Sequence, residues 1–450
     1  MRHLPGLLAL FATLLAGNAF AGTADEAALL KTTLTPLGAE RSGNADGTIP
    51  AWSGGYQEQW PGYVSGGVRP DPFKDEKALF SIDKNNVGQY ADKLTLVSHQ
   101  LLMQYPGYRI DVYPTHRTAM APDWVYENTA KNVTRARTEQ GGLELANAYG
   151  GIAFPIPKNG YELMWNHLMR WRGVSTYETF RAYVVNRQGE KVLASDSDAW
   201  FEYPSYYPQG NPENSLGFVE FVMVVTQGPP FKAGEAFLIL DPLNQVTDPR
   251  KAWQYLVGQR RTRRAPQIAF DTPDFVTSGV SNFDEAEAFN GSMERYDVKL
   301  VGKRELIIPY NTNHLQQQKI DDVLGPHWLN PDHLRWELHR VWVAELTLRE
   351  GKRHVMSRRV MYLDEDTWMV VLSDEWDASN NLWRMSYQIP FIAADMPGIA
   401  ARPFGALDLL GRAYTTATLL NELPVQMKFL PQPQPENFFT TNNLGRLVTR

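Results

Sequence analysis

The sequence predicts a mainly β protein with α additions, built on one large antiparallel sheet. From residue 176 to residue 389, strand-like pieces rich in Trp, Tyr, Val and Ile follow one another along the chain. Short turns, such as residues 186–189 and 349–352, join most of them and leave no room for crossover helices. An antiparallel meander of about a dozen strands satisfies these spacings.

The N-terminus has the pattern of a secretory signal peptide. Arg2 precedes an apolar run at residues 4–15, and residues 19–21 (AFA) form a small-x-small cleavage signal. The run is too short to span a bilayer comfortably. We therefore expect an exported protein whose mature chain begins at Gly22. The absence of cysteine excludes disulfides, thiolate chemistry and the lipid-modified cysteine of a lipoprotein.

Helical signals are confined mainly to the first half of the mature chain. Apolar residues at helical spacing and capping residues predict helices at 24–32, 81–105, 121–140 and 159–171. The Gly- and Pro-rich residues between the first two helices carry four aromatic side chains without periodicity. Because an exposed arm of this kind would aggregate, we expect it to lie against the body of the protein.

Residues 251–311 combine strand patterns with strongly charged segments. Strand-like pieces at 253–259 and 263–270 flank a basic cluster, a Pro- and Gly-rich acidic loop follows, and a second pair of strand-like pieces occupies 296–310. The basic cluster is either a solvated face of the sheet or a rim that contacts an anionic head group or a membrane surface. Its members are Arg260, Arg261, Arg263 and Arg264.

The strand at 336–349 alternates apolar and polar residues, which predicts one dry face and one face in water. Tryptophans recur in the strands that follow. These aromatic and aliphatic residues either fill a core or line a cavity for a hydrophobic ligand. The candidate ligand-binding residues are Trp336, Leu338, Trp342, Leu346, Trp368, Trp383 and Tyr387.

The C-terminal residues 391–450 read as a strap, helical in part and then Pro-rich. We expect residues 22–450 to form one compact body. Its parts are the short helix with the aromatic arm (22–72), a helical segment packed on the sheet (73–175), the sheet itself (176–390) and this strap.

No motif for catalysis, cofactor binding or metal binding is present. The sequence lacks GxxxxGK[ST], GxGxxG, GxSxG and HExxH, and His327, His333 and His339 do not have the spacing of a known metal signature. The acidic trio at 364–366 lies in a predicted turn, where acids usually accept backbone hydrogen bonds. We expect no enzyme activity, no cofactor and no metal. The formal net charge of −6 argues against nucleic-acid binding.

Four segments resemble a known family: TPLGAERSGNADGTIPAWSGG (35–55), GGIAFPIPKNGYELMWNHLMRWRG (150–173), AWQYLVGQRRTRRAPQIAFDTP and DEAEAFNGSMERYDVKLVGKRELIIPYN. They are similar to the family of domain of unknown function 1329, periplasmic proteins of Gram-negative bacteria grouped with lipoprotein carriers. The resemblance implies an unclosed antiparallel half-barrel with helices on its concave side, over an apolar cavity. It also implies transport with a resistance-nodulation-division exporter and an outer-membrane β-barrel partner.

The leading hypothesis is therefore a soluble periplasmic carrier for a lipid or other hydrophobic molecule, with at most transient contact with a membrane surface. Two alternatives remain. The first is an adaptor subunit of envelope transport machinery with a filled core, and the second is a lipid hydrolase whose catalytic residues meet only in space.

Overall fold

The computed structural model describes residues 22–448 and is dominated by one sheet of 16 strands. The predicted fold class is confirmed: the protein is mainly β, and its large sheet is not closed into a barrel. The predicted signal peptide lies outside the described residues. No helix among the described residues has both the length and the apolar character that a membrane span requires.

The helices are short and stand mostly before the sheet in sequence. They are α1 (Ala24–Leu29), α2 (Leu96–Gln104), α3 (Asp123–Arg135), α4 (Gly160–Leu168), α5 (Ile320–Val323) and α6 (Thr441–Val448).

The strands run from residue 80 to residue 430. They are β1 (Phe80–Ile82), β2 (Ile110–Val112), β3 (Arg137–Glu139), β4 (Glu144–Ala146), β5 (Ser175–Val185), β6 (Lys191–Glu202), β7 (Phe218–Gly228), β8 (Ala236–Pro242), β9 (Lys251–Leu256), β10 (Arg261–Arg264), β11 (Tyr296–Pro309), β12 (Trp336–Leu348), β13 (Met356–Asp364), β14 (Val370–Asp377), β15 (Leu382–Ala393), β16 (Gly398–Asp408), β17 (Ala413–Leu419) and β18 (Met427–Leu430).

Two runs of consecutive antiparallel hairpins make up the sheet. The neighbour order is β1-β2-β12-β13-β14-β15-β16-β17-β5-β6-β7-β8-β9-β10, with β11 paired to β12 and β18 to β5. Strand β17 pairs with β5 and so joins the two runs. The single pairing of β2 with β12 is parallel. Strands β3 and β4 form a separate hairpin.

Side chains on the two faces of the sheet pack into different hydrophobic clusters. The α4 cluster contains helix α4 with residues such as Val222, Val224 and Leu346, whereas the α2 cluster contains helix α2 with Val341 and Val343. A smaller α6 cluster covers the opposite side of β7 and β8. Successive side chains along a strand point to opposite faces of the sheet. Helices α2 and α4 therefore lie on opposite faces, whereas the sequence analysis placed them on one side.

Several local predictions are wrong; residues 81–105, for example, do not form one helix, because 80–82 are β1 and α2 begins at Leu96. Residues 398–419, expected to be partly helical, form β16 and β17, because pairing with β15 and β5 outweighs the helix preference of an Ala- and Leu-rich segment. Residues 296–310 form one bulged strand rather than two. The polar face of β12 is in water only near its C-terminal end, where Thr347 is exposed, whereas Glu337 and His339 are 0% and 1% exposed and belong to a buried ion-pair network.

The acidic loop between β10 and β11 is a part of the interior. Residues 270–290, called the cover segment here, place a 3₁₀ turn (Phe283–Ala288) against β14, β15 and β16. Arginines of the sheet pair with its carboxylates: Arg359 with Asp284, Arg384 with Glu285 and Arg402 with Glu287. These buried pairs fix the cover segment over the face that α4 also covers.

Candidate functional site

A pocket lies between the cover segment and the strands of the α4 cluster. It encloses about 670 Å³ of space, part of which is open to solvent. Apolar side chains of the sheet, the cover segment and β16–β17 form most of its wall: Phe180, Phe201, Val222, Val224, Phe237, Ile239, Val276, Phe283, Ala286, Phe404 and Ala417.

Alternation along the strands creates this apolar wall. On β7, Val222 and Val224 face the pocket, while Met223 and Val225 between them belong to the α6 cluster. Because successive side chains of a strand point to opposite faces, each apolar run serves both a closed core and the pocket. The Phe237 ring makes an edge contact with Phe275 of the cover segment at 5.0 Å between centroids. The outer side of the wall packs in the α6 cluster, and on the inner side Phe237 contacts the cover segment.

One end of the pocket is a buried ladder of charged and amide groups. Arg250 donates two hydrogen bonds to Asp241, at 2.6 and 2.7 Å, and a third to Asn290. Asn290 in turn donates to Glu220 at 2.6 Å, and Glu220 pairs with Arg172 at 3.1 Å. Each charged group here has an opposite charge or an amide as a partner, which is the condition for burying it.

Glu287 is the centre of the adjoining charge cluster. Its carboxylate pairs with Arg170, with Arg172 at 2.9 Å and with Arg402 at 3.2 Å. Burial opposes ionisation, but the three arginines outweigh it and hold the pKa of Glu287 well below its usual range. The residue also has φ of +49°, which is rare for a non-glycine residue and is fixed here by the ion pairs.

Asp274 is a carboxyl group in the pocket wall without an arginine partner. Its Oδ1 accepts a hydrogen bond of 2.9 Å from the backbone N–H of Val276. Burial raises the pKa of Asp274 from 3.8 to about 7, although this hydrogen bond and Lys232 both act to lower it. At neutral pH the pocket therefore contains a carboxyl group that is part neutral and part ionised.

The structure does not bring the candidate ligand-binding residues together. Trp336, Leu338 and Tyr387 belong to the α2 cluster, whereas Trp342, Leu346 and Trp368 belong to the α4 cluster. None of the seven lines the 670 Å³ pocket. Trp336 and Tyr387 line a second apolar pocket of about 410 Å³ beneath α2.

The remaining tryptophans have mainly structural contacts. Trp368 is fully buried, and its Nε1 donates to the backbone carbonyl of Leu37 in the N-terminal arm at 2.8 Å. Trp342 stacks on it at 6.2 Å between ring centroids. Trp383 lies under Arg384 and donates to Asp408 at 3.0 Å.

The four candidate arginines lie together on the edge of the sheet. Arg260 occupies the turn between β9 and β10, and Arg261, Arg263 and Arg264 belong to the edge strand β10. All four are exposed, and none of them lines the 670 Å³ pocket. A run of positive charge on an edge strand also discourages pairing with another sheet.

The pocket residues that the sequence analysis missed come from distant parts of the chain. Glu220, Asp241 and Arg250 lie in or beside strands, and Glu287 belongs to a loop whose acidic sequence predicts exposure to solvent. A usable signal existed in β7 and β8, where apolar residues fill both alternating positions, as in strands buried on both faces.

The chain belongs to the family described as "Protein of unknown function (DUF1329)", whose model matches residues 81–445. A relative from Pseudomonas aeruginosa, itself described as uncharacterized, is 39% identical over 423 residues. That alignment covers 93% of this chain and 92% of the relative.

Among solved structures, a domain from Vibrio parahaemolyticus, named as a candidate outer-membrane lipoprotein-sorting protein, has a TM-score of 0.43 at 15% identity. The match covers 64% of this chain and 98% of that domain. A DUF1329 family protein from Desulfovibrio piger has a TM-score of 0.42 at 15% identity, with 63% and 97% covered. A LolA superfamily protein from Nitrosomonas europaea has a TM-score of 0.36 at 11% identity, with 63% and 98% covered.

Proposed function

We propose that the protein is a soluble periplasmic carrier that binds a lipid or similar hydrophobic molecule in the pocket beneath the cover segment. The observation that carries this proposal is the pocket itself, with about 670 Å³ of space, apolar walls and a fully paired polar end. Apolar walls with a few placed polar groups are the usual composition of a small-molecule site.

Burial of an apolar chain supplies the affinity in this proposal. Each methylene moved from water to an apolar wall contributes about 0.8 kcal/mol, so an acyl chain binds with few polar contacts. The charge ladder from Asp241 to Glu220 is already satisfied internally and does not require a charged ligand. Asp274 is the polar group best suited to meet a head group, and as a neutral carboxyl it would donate to a hydroxyl or ester oxygen.

Contact with a membrane surface is assigned to the β10 edge. The register Ala236↔Tyr255 puts the β7–β8 turn and the β9–β10 turn at the same end of the sheet. Phe231 in the first turn is 80% exposed, and the second turn carries Val257 beside Arg260. An exposed aromatic residue next to several arginines suits a brief contact with an anionic lipid surface.

The proposed carrier acts in transport across the envelope. The carrier would take its cargo from an inner-membrane exporter and pass it toward an outer-membrane β-barrel partner, as the family resemblance implies. The adaptor alternative requires a filled core and does not explain the pocket. The hydrolase alternative requires a nucleophile with a base, whereas the described pocket lining contains no Ser, His or Cys, and its Thr418 hydroxyl donates to the backbone carbonyl of Ala417 at 2.7 Å.

Native mass spectrometry of protein purified from periplasm without detergent tests the proposal. We expect a co-purifying hydrophobic molecule that lipid extraction removes and that a long-chain fatty acid replaces. Protein that is repeatedly free of ligand, and that fails to bind an added fatty acid or an environment-sensitive dye, would contradict the carrier function and favour the adaptor.

A further inference from the structure

A second, more compact cluster of donor groups lies in the corner between β12, β13 and the N-terminal arm. His339 of β12, Asp364 at the end of β13 and Asp366 in the following turn each place one ligand atom within 4.8 Å of the others. The antiparallel register, in which Val341 pairs with Asp364, brings them together. All three side chains are at most 3% exposed.

The imidazole of His339 is held in one orientation. Its Nε2 lies 3.1 Å from a carboxylate oxygen of Glu337, and its ring stacks on Tyr310 at 4.0 Å between centroids. The same carboxylate also pairs with Arg335. Glu337 accepts a hydrogen bond from Nε2–H of His339, which leaves the Nδ1 lone pair on the other side of the ring.

That lone pair faces an oxygen that has no hydrogen-bond partner. The Oδ2 atom of Asp364 accepts from the Tyr310 hydroxyl and from the N–H and hydroxyl of Thr367, whereas Oδ1 accepts none. His339 Nδ1 and Asp364 Oδ1 are 3.8 Å apart, which is too long for a hydrogen bond. Two buried acceptors facing each other are costly unless something positive lies between them.

The surrounding ion pairs have an excess of negative charge. They form two neighbouring groups that meet at the turn 364–366 and together contain six carboxylates and four cations, so with neutral histidines the formal charge is −2. All of this excess lies in the group that contains Glu337 and Asp364, whose one cation is Arg335. The members are Glu40, Glu76, Glu337, Asp364, Glu365 and Asp366 with Arg117, Lys303, Arg335 and Arg340. A divalent cation would neutralise the set.

We infer that this corner is a structural binding site for a divalent transition-metal ion such as Zn²⁺ or Mn²⁺. His339 Nδ1, Asp364 Oδ1 and a carboxylate oxygen of Asp366 are its ligands, and a nitrogen with two carboxylates suits these ions better than Mg²⁺ or Ca²⁺. Glu337 orients the imidazole from outside the coordination sphere. Asp366 keeps its pair with Arg117 through other lone pairs.

The ion would fasten the N-terminal arm to the sheet. Arg117 and Arg340, which pair with Asp366 and Glu365, also donate to the backbone carbonyls of Glu40 and Ser42 in the arm. Trp368, next to the same turn, donates to Leu37. Fixing the turn at residues 364–367 therefore fixes the arm, a role independent of the proposed cargo.

Refolding with and without metal tests the inference, because a buried ion enters as the chain folds. The full mature chain is denatured with chelator, refolded with Zn²⁺, Mn²⁺, Mg²⁺ or none, desalted and measured by elemental mass spectrometry and thermal unfolding. We expect about one Zn²⁺ or Mn²⁺ per chain and a higher Tm, with little Mg²⁺. Less than about a tenth of an ion per chain under all conditions would overturn the site.

Two variants and a control variant test whether the ion binds at this position. Asp364→Asn and His339→Gln should lower metal content at least about tenfold. His354→Gln, which alters a buried His–Asp contact of 2.9 Å elsewhere, should leave it unchanged. Metal retained by both site variants would overturn the assignment. If they fail to fold, anomalous diffraction from wild-type crystals decides: a peak between His339 and Asp364 supports the site, and a peak elsewhere refutes it.

Discussion

The two faces of the sheet are covered in different ways. The α2 cluster is closed by helix α2 and by aliphatic and aromatic side chains, and its pocket measures only about 410 Å³. The α4 cluster is covered in part by the cover segment, whose Asp284, Glu285 and Glu287 are buried, and it leaves about 670 Å³. The larger space occurs where charged groups form part of the cover.

Charge pairing explains why the second face does not collapse. The carboxylates of the cover segment are fixed by arginines of the strands, with Arg359 and Arg402 fully or almost fully buried. Moving the segment onto Val222 and Phe237 would separate these pairs in a medium of low dielectric constant, which is very unfavourable. An apolar cover has no such restraint and settles to close packing.

The largest expected effect concerns Glu287. Glu287→Gln leaves Arg170, Arg172 and Arg402 without their common carboxylate, so we expect a loss of about 3–5 kcal/mol in the free energy of unfolding and a loss of dye binding. Leu101→Ala in the α2 cluster is the matched variant, with a loss of about 2–5 kcal/mol. Chemical denaturation and dye titration below the unfolding temperature check both. Dye binding lost equally in Leu101→Ala would contradict the division of roles between the faces.

The next effect separates two stacked tryptophans of the α4 cluster. Trp368→Ala should cost about 3–5 kcal/mol of stability, because the side chain is fully buried and its hydrogen bond to Leu37 is lost. Trp342 is only partly buried, and Trp342→Ala should cost about 1–2 kcal/mol. Neither lines the pocket, so fatty-acid affinity should stay unchanged in both. A clear loss of affinity in Trp342→Ala with little change in Tm would show that Trp342 contacts the ligand.

A pH-dependent effect is expected at Asp274. Its pKa is raised in the folded protein to about 7, so its contribution to stability is complete below pH about 4 and is lost as the pH rises through about 7. The amide that replaces the carboxyl group in Asp274→Asn does not titrate. This variant should therefore match the wild type near pH 3.5 and exceed it by about 2–4 kcal/mol near pH 8.5, as measured by chemical denaturation at the two pH values.

Ligand affinity gives the same group a second readout. A hydrophobic cargo excludes water from Asp274 and favours its neutral form, so wild-type affinity should fall between about pH 6 and 9. The affinity of Asp274→Asn should remain flat over that range. A parallel decline in both proteins would show that Asp274 is not in the occupied site.

The smallest effect on stability is expected at the β10 edge. Replacing Arg260, Arg261, Arg263 and Arg264 by Gln should change the free energy of unfolding by no more than about 0.5 kcal/mol, because these side chains are exposed. Binding to vesicles that contain anionic lipid should weaken and lose its salt dependence. Sedimentation with vesicles at two salt concentrations measures this, and unchanged binding would leave the arginines as a guard against edge pairing.

The sequence predicts the strands of this protein better than their surroundings. Alternation in β12 and β15 identifies these strands, whereas the composition of residues 398–419 favours a helix that pairing with β15 and β5 overrules. The cover segment reads as a solvated acidic loop, because its arginine partners are far away in the sequence. No local pattern records such pairs.

His339 shows the same limit at the second site. Its spacing to the other histidines matches no metal signature, and its carboxylate neighbours Asp364 and Asp366 follow about 25 residues later. Only the β12–β13 register brings the three together. Pairing residues outward from the predicted turn at 349–352 places His339 roughly opposite Asp364 and Asp366. A predicted hairpin can therefore indicate a site of this kind.

Ligand binding by two matched pocket-filling variants tests the central claim most directly. Val222→Phe fills the pocket under the cover segment, Leu334→Phe fills the pocket beneath α2, and Val192→Phe, at an exposed position near the start of β6, is the control. With folding verified by circular dichroism, we expect fatty-acid affinity to fall at least about tenfold in Val222→Phe alone. Unchanged affinity in Val222→Phe, with a loss in Leu334→Phe, would contradict the assignment of cargo to the charged face of the sheet.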